Sequence, residues 1–353
     1  MSVSFDIAVI GSGAAGIAAS VSAARAGART LLLDARPAPG GTGGFSGLTT
    51  LCGLFDAQGN HLNDGFPREF AESLAESAPV QMGRVWVLPY RPEKFRALAV
   101  QLLAPVTTRW NTPVSATAKH NRILTINDFP VGAVIDCTGT AAVAQTIGAD
   151  WLSTDATTQA PAVVFPLRNV TAELNSPAAV ARVVLPVARA GLPMLTFQPN
   201  LEPDTVTVKF SGRPEQVLPV VEFLRQNVPG FAQCEAPRHF TLSERAGRMI
   251  VGRYVLTGAD VLAARKFPDA VARCAWPIEQ WNAAGTAYFR YLPDGEHYEI
   301  PARALQSATV ENLFMAGKTL SADDDAIASA RVMGCCLATG AAAGKLAISA
   351  CSR

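Results

Sequence analysis

Apolar and polar positions along the first 34 residues fall into a strand, a helix and a second strand. Phe5 to Ile10 is an apolar run broken only by Asp6, the next fifteen or so residues are mostly small, and Leu31-Leu32-Leu33 ends in Asp34. Downstream, Pro67 opens a stretch with Phe70 and Leu74 on one helical face, and Pro92 opens another with Phe95, Leu98 and Leu102 at helical spacing. Short strands are expected around Val114 to Thr117 and Arg122 to Ile126, followed by a longer one, Val131 to Cys137, that runs into Thr138-Gly139. From about Trp151 the pattern changes. Val206, Val208 and Phe210 alternate with polar residues, Pro166, Pro186, Pro193 and Pro199 break the segments, and helix-length stretches lie near 214–227 and 258–275. The apolar strand pattern returns at Glu311 to Gly317, and a long small-residue helix closes the chain. This order predicts an α/β fold with a mixed-sheet insertion, the usual place for substrate selection.

The turn between the first strand and the first helix carries the first chemistry. It reads Gly11-Ser12-Gly13-Ala14-Ala15-Gly16. Gly11 permits a tight strand-to-helix turn, Gly13 lets a pyrophosphate approach the backbone, and Gly16 lets the helix sit close on the strand. The helix N-terminus then presents free amides and a positive dipole end to phosphate. Asp34, ending the second strand, is placed to accept hydrogen bonds from ribose hydroxyls. Strand, glycines, helix, strand and acid in this order specify a dinucleotide site.

The residues after Asp34 narrow the dinucleotide. Ala35-Arg36-Pro37-Ala38-Pro39 leads to Gly40-Gly41-Thr42-Gly43-Gly44, a second glycine-rich stretch that suits a longer ligand lying beside the first loop. That ligand is read as FAD. With 353 residues there is room for a dinucleotide domain and one smaller domain, and no second GxGxxG opens a helix. A nicotinamide coenzyme could visit, but no site for it is written in the sequence.

Bulk properties exclude several other classes. With 30 basic and 29 acidic residues the net charge is +1, which gives no electrostatic case for nucleic acid or an anionic membrane. Charged residues make up 17% and hydrophobic ones 49%, implying a large core or a buried contact between subunits, and so a possible homo-oligomer. The seven cysteines are odd in number, scattered and without CxxC, which argues against disulfides and a metal centre. The chain opens directly on a strand, without a signal-peptide pattern, so a cytoplasmic location is expected. The apolar run from Ala326 to Ala350 contains Arg331 and Lys345 and reads as a buried helix, not a membrane span.

At the end of the chain, Leu320-Ser321-Ala322-Asp323-Asp324-Asp325-Ala326 places three acids at a helix entrance. One reading is capping and dipole complementarity. The other has the helix point its positive end at the flavin pyrimidine, with Asp324, Asp325 and Ala326 at the cofactor and one acid accepting a ribityl hydroxyl. Gly334, Gly340 and Gly344, each costing about 1 kcal/mol relative to alanine inside a helix, point to close backbone approach by a ligand or a neighbouring strand.

Taken together, these segments resemble a known family. The fingerprint, Gly40 to Gly44, Pro92-Glu93, Ile135-Asp136-Cys137-Thr138-Gly139, Tyr298-Glu299-Ile300-Pro301, Asn312 to Gly317, and Arg331-Val332-Met333 with Thr339 to Gly344 occur in the order seen in FAD-dependent oxidoreductases with a glutathione-reductase-type FAD fold. Arg245 to Thr257 resembles the arginine-bearing segment of that family's substrate domain. The resemblance runs from about residue 5 to 347. It implies a Rossmann-like FAD-binding domain of residues 1–150 and 301–353, an inserted α+β substrate domain of residues 151–300, and FAD contacts from Thr138, Gly139 and Gly317. Many relatives carry a histidine near Asp324 or Ile327 and arginines where Lys318 and Met249 stand here, so any acid or base must come from elsewhere.

Few side chains are candidates for that role. Cys52 follows the second glycine-rich stretch, in a region that passes the flavin ring in this fold, and is a core cysteine, a redox partner or a covalent attachment point. His297 and Tyr298 precede the strand expected to lead back to the flavin, where either could bind substrate or move a proton. Arg245 and Arg248 could clamp a substrate carboxylate or serve as structural ion-pair partners. His61 reads as a surface residue, while His120 and His239 have no company that suggests a role. The expected activity is hydride transfer between a small organic substrate and flavin N5, with O2, a quinone or a carrier protein left open as electron acceptor. The alternatives are flavin reduction or monooxygenation fed by NAD(P)H, and a protein in which FAD is structural or regulatory.

Overall fold

In the computed structural model, which describes residues 3–155, 159–235, 237, 240–282 and 285–351, Phe5–Ile10 lies at the middle of a parallel sheet. Thr30–Leu33 and then Thr107–Arg109 flank it on one side, and Phe129–Asp136 and then Leu313–Met315 on the other. A strand covered on both faces has no polar side to show, hence the continuous apolar runs. The period-2 geometry divides them. Ile7, Val9 and Leu32 bury in one core, while Ala8, Ile10, Leu31 and Leu33 bury in another across the sheet. The strands Ala116–Lys119 and Arg122–Ile126 extend the sheet in antiparallel fashion along the first residues of Phe129–Asp136.

Two helices cover the first of those faces. Ala14–Arg25 and the terminal helix Met333–Cys351 are rich in alanine and glycine, which lets their backbones approach far more closely than ordinary side chains allow. A Cβ on Gly340 would lie 2.1 Å from the Ala15 carbonyl oxygen, and one on Gly344 would lie 2.5 Å from that of Ala19. Gly340 and Gly344 therefore serve helix-to-helix packing, whereas a Cβ on Gly334 would lie 2.4 Å from the Gly53 carbonyl carbon, at the end of the strand Thr50–Cys52, the close backbone approach that the sequence predicts. The terminal helix is long and apolar enough to cross a membrane, but 61% of its most apolar window is buried inside the fold.

Residues 162–243 supply a four-stranded antiparallel sheet in the order Thr196–Gln198, Val206–Ser211, Ala162–Leu167, Thr241–Ser243. Alternation decides its faces. Val163, Phe165, Val208 and Phe210 turn into a core shared with the helices Pro177–Arg189 and Val217–Asn227. Ala162, Thr196, Gln198 and Lys209 line a cavity on the other side. The helix Pro177–Arg189 was hidden in the sequence by Pro186, which the helix accommodates. The helix-length stretch expected at 258–275 is instead a five-residue helix, Gly258–Leu262, followed by the strand Ala270–Cys274. A further core joins residues 249–305 to residues 320–338, so packing runs continuously across position 301.

Candidate active site

The fingerprint turn has the shape its glycines demand. Gly11 has φ +96°, and a Cβ there would lie 2.7 Å from the Cys137 carbonyl oxygen; one on Gly16 would lie 1.7 Å from the Gly11 oxygen. Gly13 is different: the nearest atom to its would-be Cβ is the Gly41 Cα, at 4.0 Å, so its surface is open. Gly13 is also the N-cap of Ala14–Arg25, which has no side-chain cap and no acid in its first turn. Its first amides and positive end are left for an anion. The second glycine-rich stretch forms a short helix, Gly41–Phe45, packed on the first loop so tightly that a Cβ on Gly41 would be 2.6 Å from the Gly13 Cα.

Asp34 is bound from both sides. One carboxylate oxygen accepts the Ser12 N–H and hydroxyl, each at 2.6 Å, and the other accepts the Arg36 N–H at 2.8 Å. Opposite, buried Asp136 accepts the Thr138 N–H and hydroxyl at 2.9 and 2.7 Å and the Val143 N–H at 2.9 Å, which fixes the Thr138-Gly139 turn. Burial raises the pKa of Asp136 against these bonds.

These elements line one end of a cavity of about 790 Å3, in the upper part of the roughly 300–1,000 Å3 range of small-molecule sites. Gly11, Gly13, Ala14, Ala15, Asp34, Ala35, Arg36, Gly41, Thr42, Gly43, Thr138, Gly139 and Gly317 all contribute to its wall, as does Cys52. Gly16 and Gly40 lie behind that wall, shaping the backbone. An open Gly13, an uncapped helix start and an acid at the strand end form a donor and acceptor set that fits the pyrophosphate and ribose of FAD.

At the other end of the chain, the expected single helix is two. Asp324–Ala330 ends at Arg331, and Met333–Cys351 begins two residues later. Arg331, Val332 and Met333, at this junction, line the cavity; Asp324, Asp325 and Ala326 do not. The acids have structural partners instead. Asp323 accepts the Ala326 and Gly258 amides, Asp324 accepts the Asp155 amide at 3.2 Å, and Asp325 pairs with Arg290 and Gln280. A helix start does face the cavity, but it is that of Met333–Cys351.

Of the five side chains considered for chemistry, Cys52 and Arg245 line the cavity and His297, Tyr298 and Arg248 do not. The Cys52 thiol is pushed up to about 12 by burial and by Glu279, so it stays protonated. Tyr298 is fully buried, hydrogen-bonded to Ser329 at 2.8 Å, in the core that contains Cys274. His297 precedes it on the outer side of the strand, where its carbonyl accepts Lys266. Arg248 stacks over Trp151, 4.8 Å from the ring centroid, and donates to Gln145. Arg245, three residues earlier, is the arginine that lines the cavity. Tyr298 is turned into the core, while His297 and Arg248 are half-buried and turned away from the cavity, a choice of face that the sequence pattern does not resolve. His239 lies outside the described residues.

Sequence reasoning missed the far wall. Lys209, Glu279, Trp276, Trp281 and Gln198 line it with Arg245 and Arg331. Glu279 accepts the Trp281 and Trp276 indole N–H groups at 2.6 and 2.9 Å and pairs with Lys209 at 3.6 Å. Burial alone would raise its pKa; Lys209, Arg331 and Arg245 bring it down to about 2. Lys209 is also lowered, because burial and Arg245 outweigh the attraction of Glu279. Burial, with Arg331, takes Arg245 down to about 9. No motif joins these residues, since Lys209, Arg245, the 276–281 segment and Arg331 lie tens of residues apart in the chain. Only the alternation at Val206, Val208 and Phe210 marked Lys209 as lying on the opposite face.

The model of the FAD dependent oxidoreductase family matches residues 6–204 and 191–353. No curated protein matches the chain in sequence. Among solved structures, a geranylgeranyl bacteriochlorophyll reductase-like protein from Thermoplasma acidophilum superposes with a TM-score of 0.53 at 11% identity, over 99% of this chain and 79% of that one. The flavin-dependent brominase Bmp2 gives 0.52 at 10% identity, over 99% and 79%. At such identities the similarity concerns the fold. The family match spans nearly the whole chain, and the protein belongs to the FAD-dependent oxidoreductase family, with FAD as its cofactor.

Proposed function

We propose that the protein is an enzyme that moves a hydride between a small organic substrate and flavin N5. The observation carrying this reading is that the fingerprint loop and the cation-bearing wall around Glu279 border one continuous cavity of about 790 Å3. On this reading residues 1–150 and 301–353 form a glutathione-reductase-type FAD unit, and residues 151–300 select the substrate. When bound, FAD supplies the two-electron carrier. The chain supplies position and charge: Asp34, Gly13 and the first turn of Ala14–Arg25 hold the dinucleotide, and the start of Met333–Cys351 places a positive helix end toward the cavity, where negative charge is favoured. Trp276, Trp281 and the sheet carrying Lys209 form the substrate's side of the space and keep bulk water from it.

A second reading, substrate oxygenation or reduction with electrons from NAD(P)H, draws on the fold shared with the reductase-like protein and the brominase. Anaerobic titration of the purified holoprotein with amines, amino acids, hydroxy acids, NADH and NADPH, followed by the flavin spectrum, separates the readings. Hydride transfer predicts bleaching by one of the organic substrates at a turnover-competent rate. Bleaching by NAD(P)H alone favours the second reading, and bleaching by none of them leaves FAD a structural role.

A further inference from the structure

The far wall carries more positive charge than the fold needs. Lys209, Arg245 and Arg331 face one carboxylate, Glu279, whose oxygens are already engaged by two indole N–H groups and by Lys209. Arg245 is buried; its first amino group donates to the Ala160 carbonyl at 2.6 Å and the Ser211 hydroxyl at 2.8 Å. Among the described residues its second amino group and the Arg331 Nε find no acceptor, and neither arginine has a salt bridge. Buried polar groups are satisfied in the great majority of cases, and a charged donor left without an acceptor is a heavy penalty that a folding role alone does not explain. Burial lowers the pKa of all three cations, as expected of charges that the surrounding protein undercompensates.

We propose that Lys209, Arg245 and Arg331 form a subsite for the carboxylate of an organic acid substrate whose apolar body lies along Trp276. Arg245 sits 4.7 Å and Lys209 5.1 Å from the Trp281 ring centroid, so that ring holds both cations on one side of the cavity. A guanidinium presents a planar fork to a planar carboxylate, and an ammonium beside it adds a point charge. Glu279 is the internal counter-ion that makes three neighbouring cations tolerable and leaves a net positive charge for the ligand. Val85 and Val87, also in the wall, extend its apolar surface. The inference rests on the proposed function, since it names the class of substrate that the same cavity would take.

Phenylacetate and its neutral isostere phenylacetamide test the subsite without requiring turnover. Each is titrated into the holoprotein, with binding read by calorimetry and by perturbation of the flavin spectrum. Phenylacetate should bind at least tenfold more tightly than phenylacetamide, Arg245→Met and Lys209→Met should each remove at least tenfold of that affinity while retaining FAD, and Arg245→Lys should restore part of it. Equal affinity for acid and amide overturns the proposal, as does failure of the acid to bind. So does loss of FAD from folded Arg245→Met and Lys209→Met protein, which would assign the cations to the cofactor. Should the arginine variant not fold, the acid-against-amide comparison on the unaltered protein still decides. Flavin bleaching by a neutral substrate with no phenylacetate binding would sink the subsite and spare hydride transfer; phenylacetate binding with no bleaching by any donor would do the reverse.

Discussion

Ser12 and Asp34, 22 positions apart, are joined twice: the amide and the hydroxyl of Ser12 both donate to one oxygen of the Asp34 carboxylate at 2.6 Å. The bond pair ties the end of the second strand to the phosphate loop, so the acid that would hold the ribose also sets the loop that would hold the pyrophosphate. Asp34→Ala removes the ribose acceptor and leaves the Ser12 amide without its partner, each worth about 1–3 kcal/mol. FAD affinity should fall by at least tenfold, measured by flavin fluorescence titration of the apoprotein. Ser12→Ala keeps the amide bond and should have the smaller effect. Equal FAD content in both variants and the unaltered protein would rule out this arrangement.

Gly340 offers a test in which intrinsic propensity and packing disagree in sign. Alanine in a helix interior is favoured over glycine by about 1 kcal/mol, so an unencumbered Gly340→Ala would raise the melting temperature. Here the added methyl would meet the Ala15 carbonyl oxygen at 2.1 Å, and that oxygen belongs to backbone at the start of the fingerprint helix. Separating the helices should destabilise the protein by about 2 kcal/mol or more, seen as a lower melting temperature and weaker FAD retention. A raised melting temperature would contradict the close helix contact.

What could be read in advance follows the range of each interaction. The fingerprint, its helix and the acid at Asp34 lie within 24 residues and are dictated by local backbone geometry, so their place in the cavity was legible. Arg245 and Arg248 looked equivalent because nothing in the segment says which one turns inward. The structure sends Arg248 to Trp151 and Arg245 to the cavity. Glu279 was illegible for a different reason. Its significance depends on Lys209, 70 positions earlier, and Arg331, 52 later, and no spacing rule connects three residues brought together by tertiary packing. The acids at Asp323 to Asp325 misled because capping and cofactor contact call for the same residues at the same place, and capping accounts for Asp323.

Glu279→Gln should destabilise the protein by about 3 kcal/mol, because it strands buried cations without their counter-ion. The same residue gives a pH signature. Its pKa lies at about 2 in the fold, against an ordinary carboxylate value of 4.5, so the folded state favours the ionised form. The stabilisation is complete above the ordinary value and is lost as pH falls from about 4.5 toward 2. Denaturant unfolding of the wild type and the glutamine variant should therefore differ most above pH 5 and converge on acidification. A constant difference across that window would place the contribution of Glu279 in packing alone.

The Cys52 thiol, held up to about 12 and lining the cavity, should be a poor nucleophile, since the thiolate is the reactive form. Iodoacetamide at pH 7.5 should leave Cys52 unmodified under conditions that alkylate free glutathione completely, as read by peptide mass spectrometry. Denaturation should release FAD to the supernatant. Rapid alkylation of Cys52, or flavin that remains with the precipitated chain, would restore it as a redox or attachment residue.

Tyr298 lies far enough into the core to separate a structural tyrosine from an acid or base. Burial pushes its phenol well up, its hydroxyl is engaged with Ser329, and the Ser329 hydroxyl donates to the Trp276 carbonyl at 2.6 Å. Trp276 belongs to the cavity wall, so the Tyr298 hydroxyl is linked to the site through two intervening groups. Removing one buried hydrogen bond costs about 1 kcal/mol. Tyr298→Phe should therefore lower the melting temperature by a few degrees while the rate of flavin reduction by the identified substrate stays within about twofold. Proton transfer by a positioned side chain contributes about 100-fold or more, so the two roles predict effects that do not overlap. Arg248→Ala, which loses its stack on Trp151 and its bond to the cavity-lining Gln145 but no direct place in the cavity wall, should likewise keep that rate within about twofold. A hundredfold slower reduction in Tyr298→Phe at near-normal stability would return the tyrosine to the reaction.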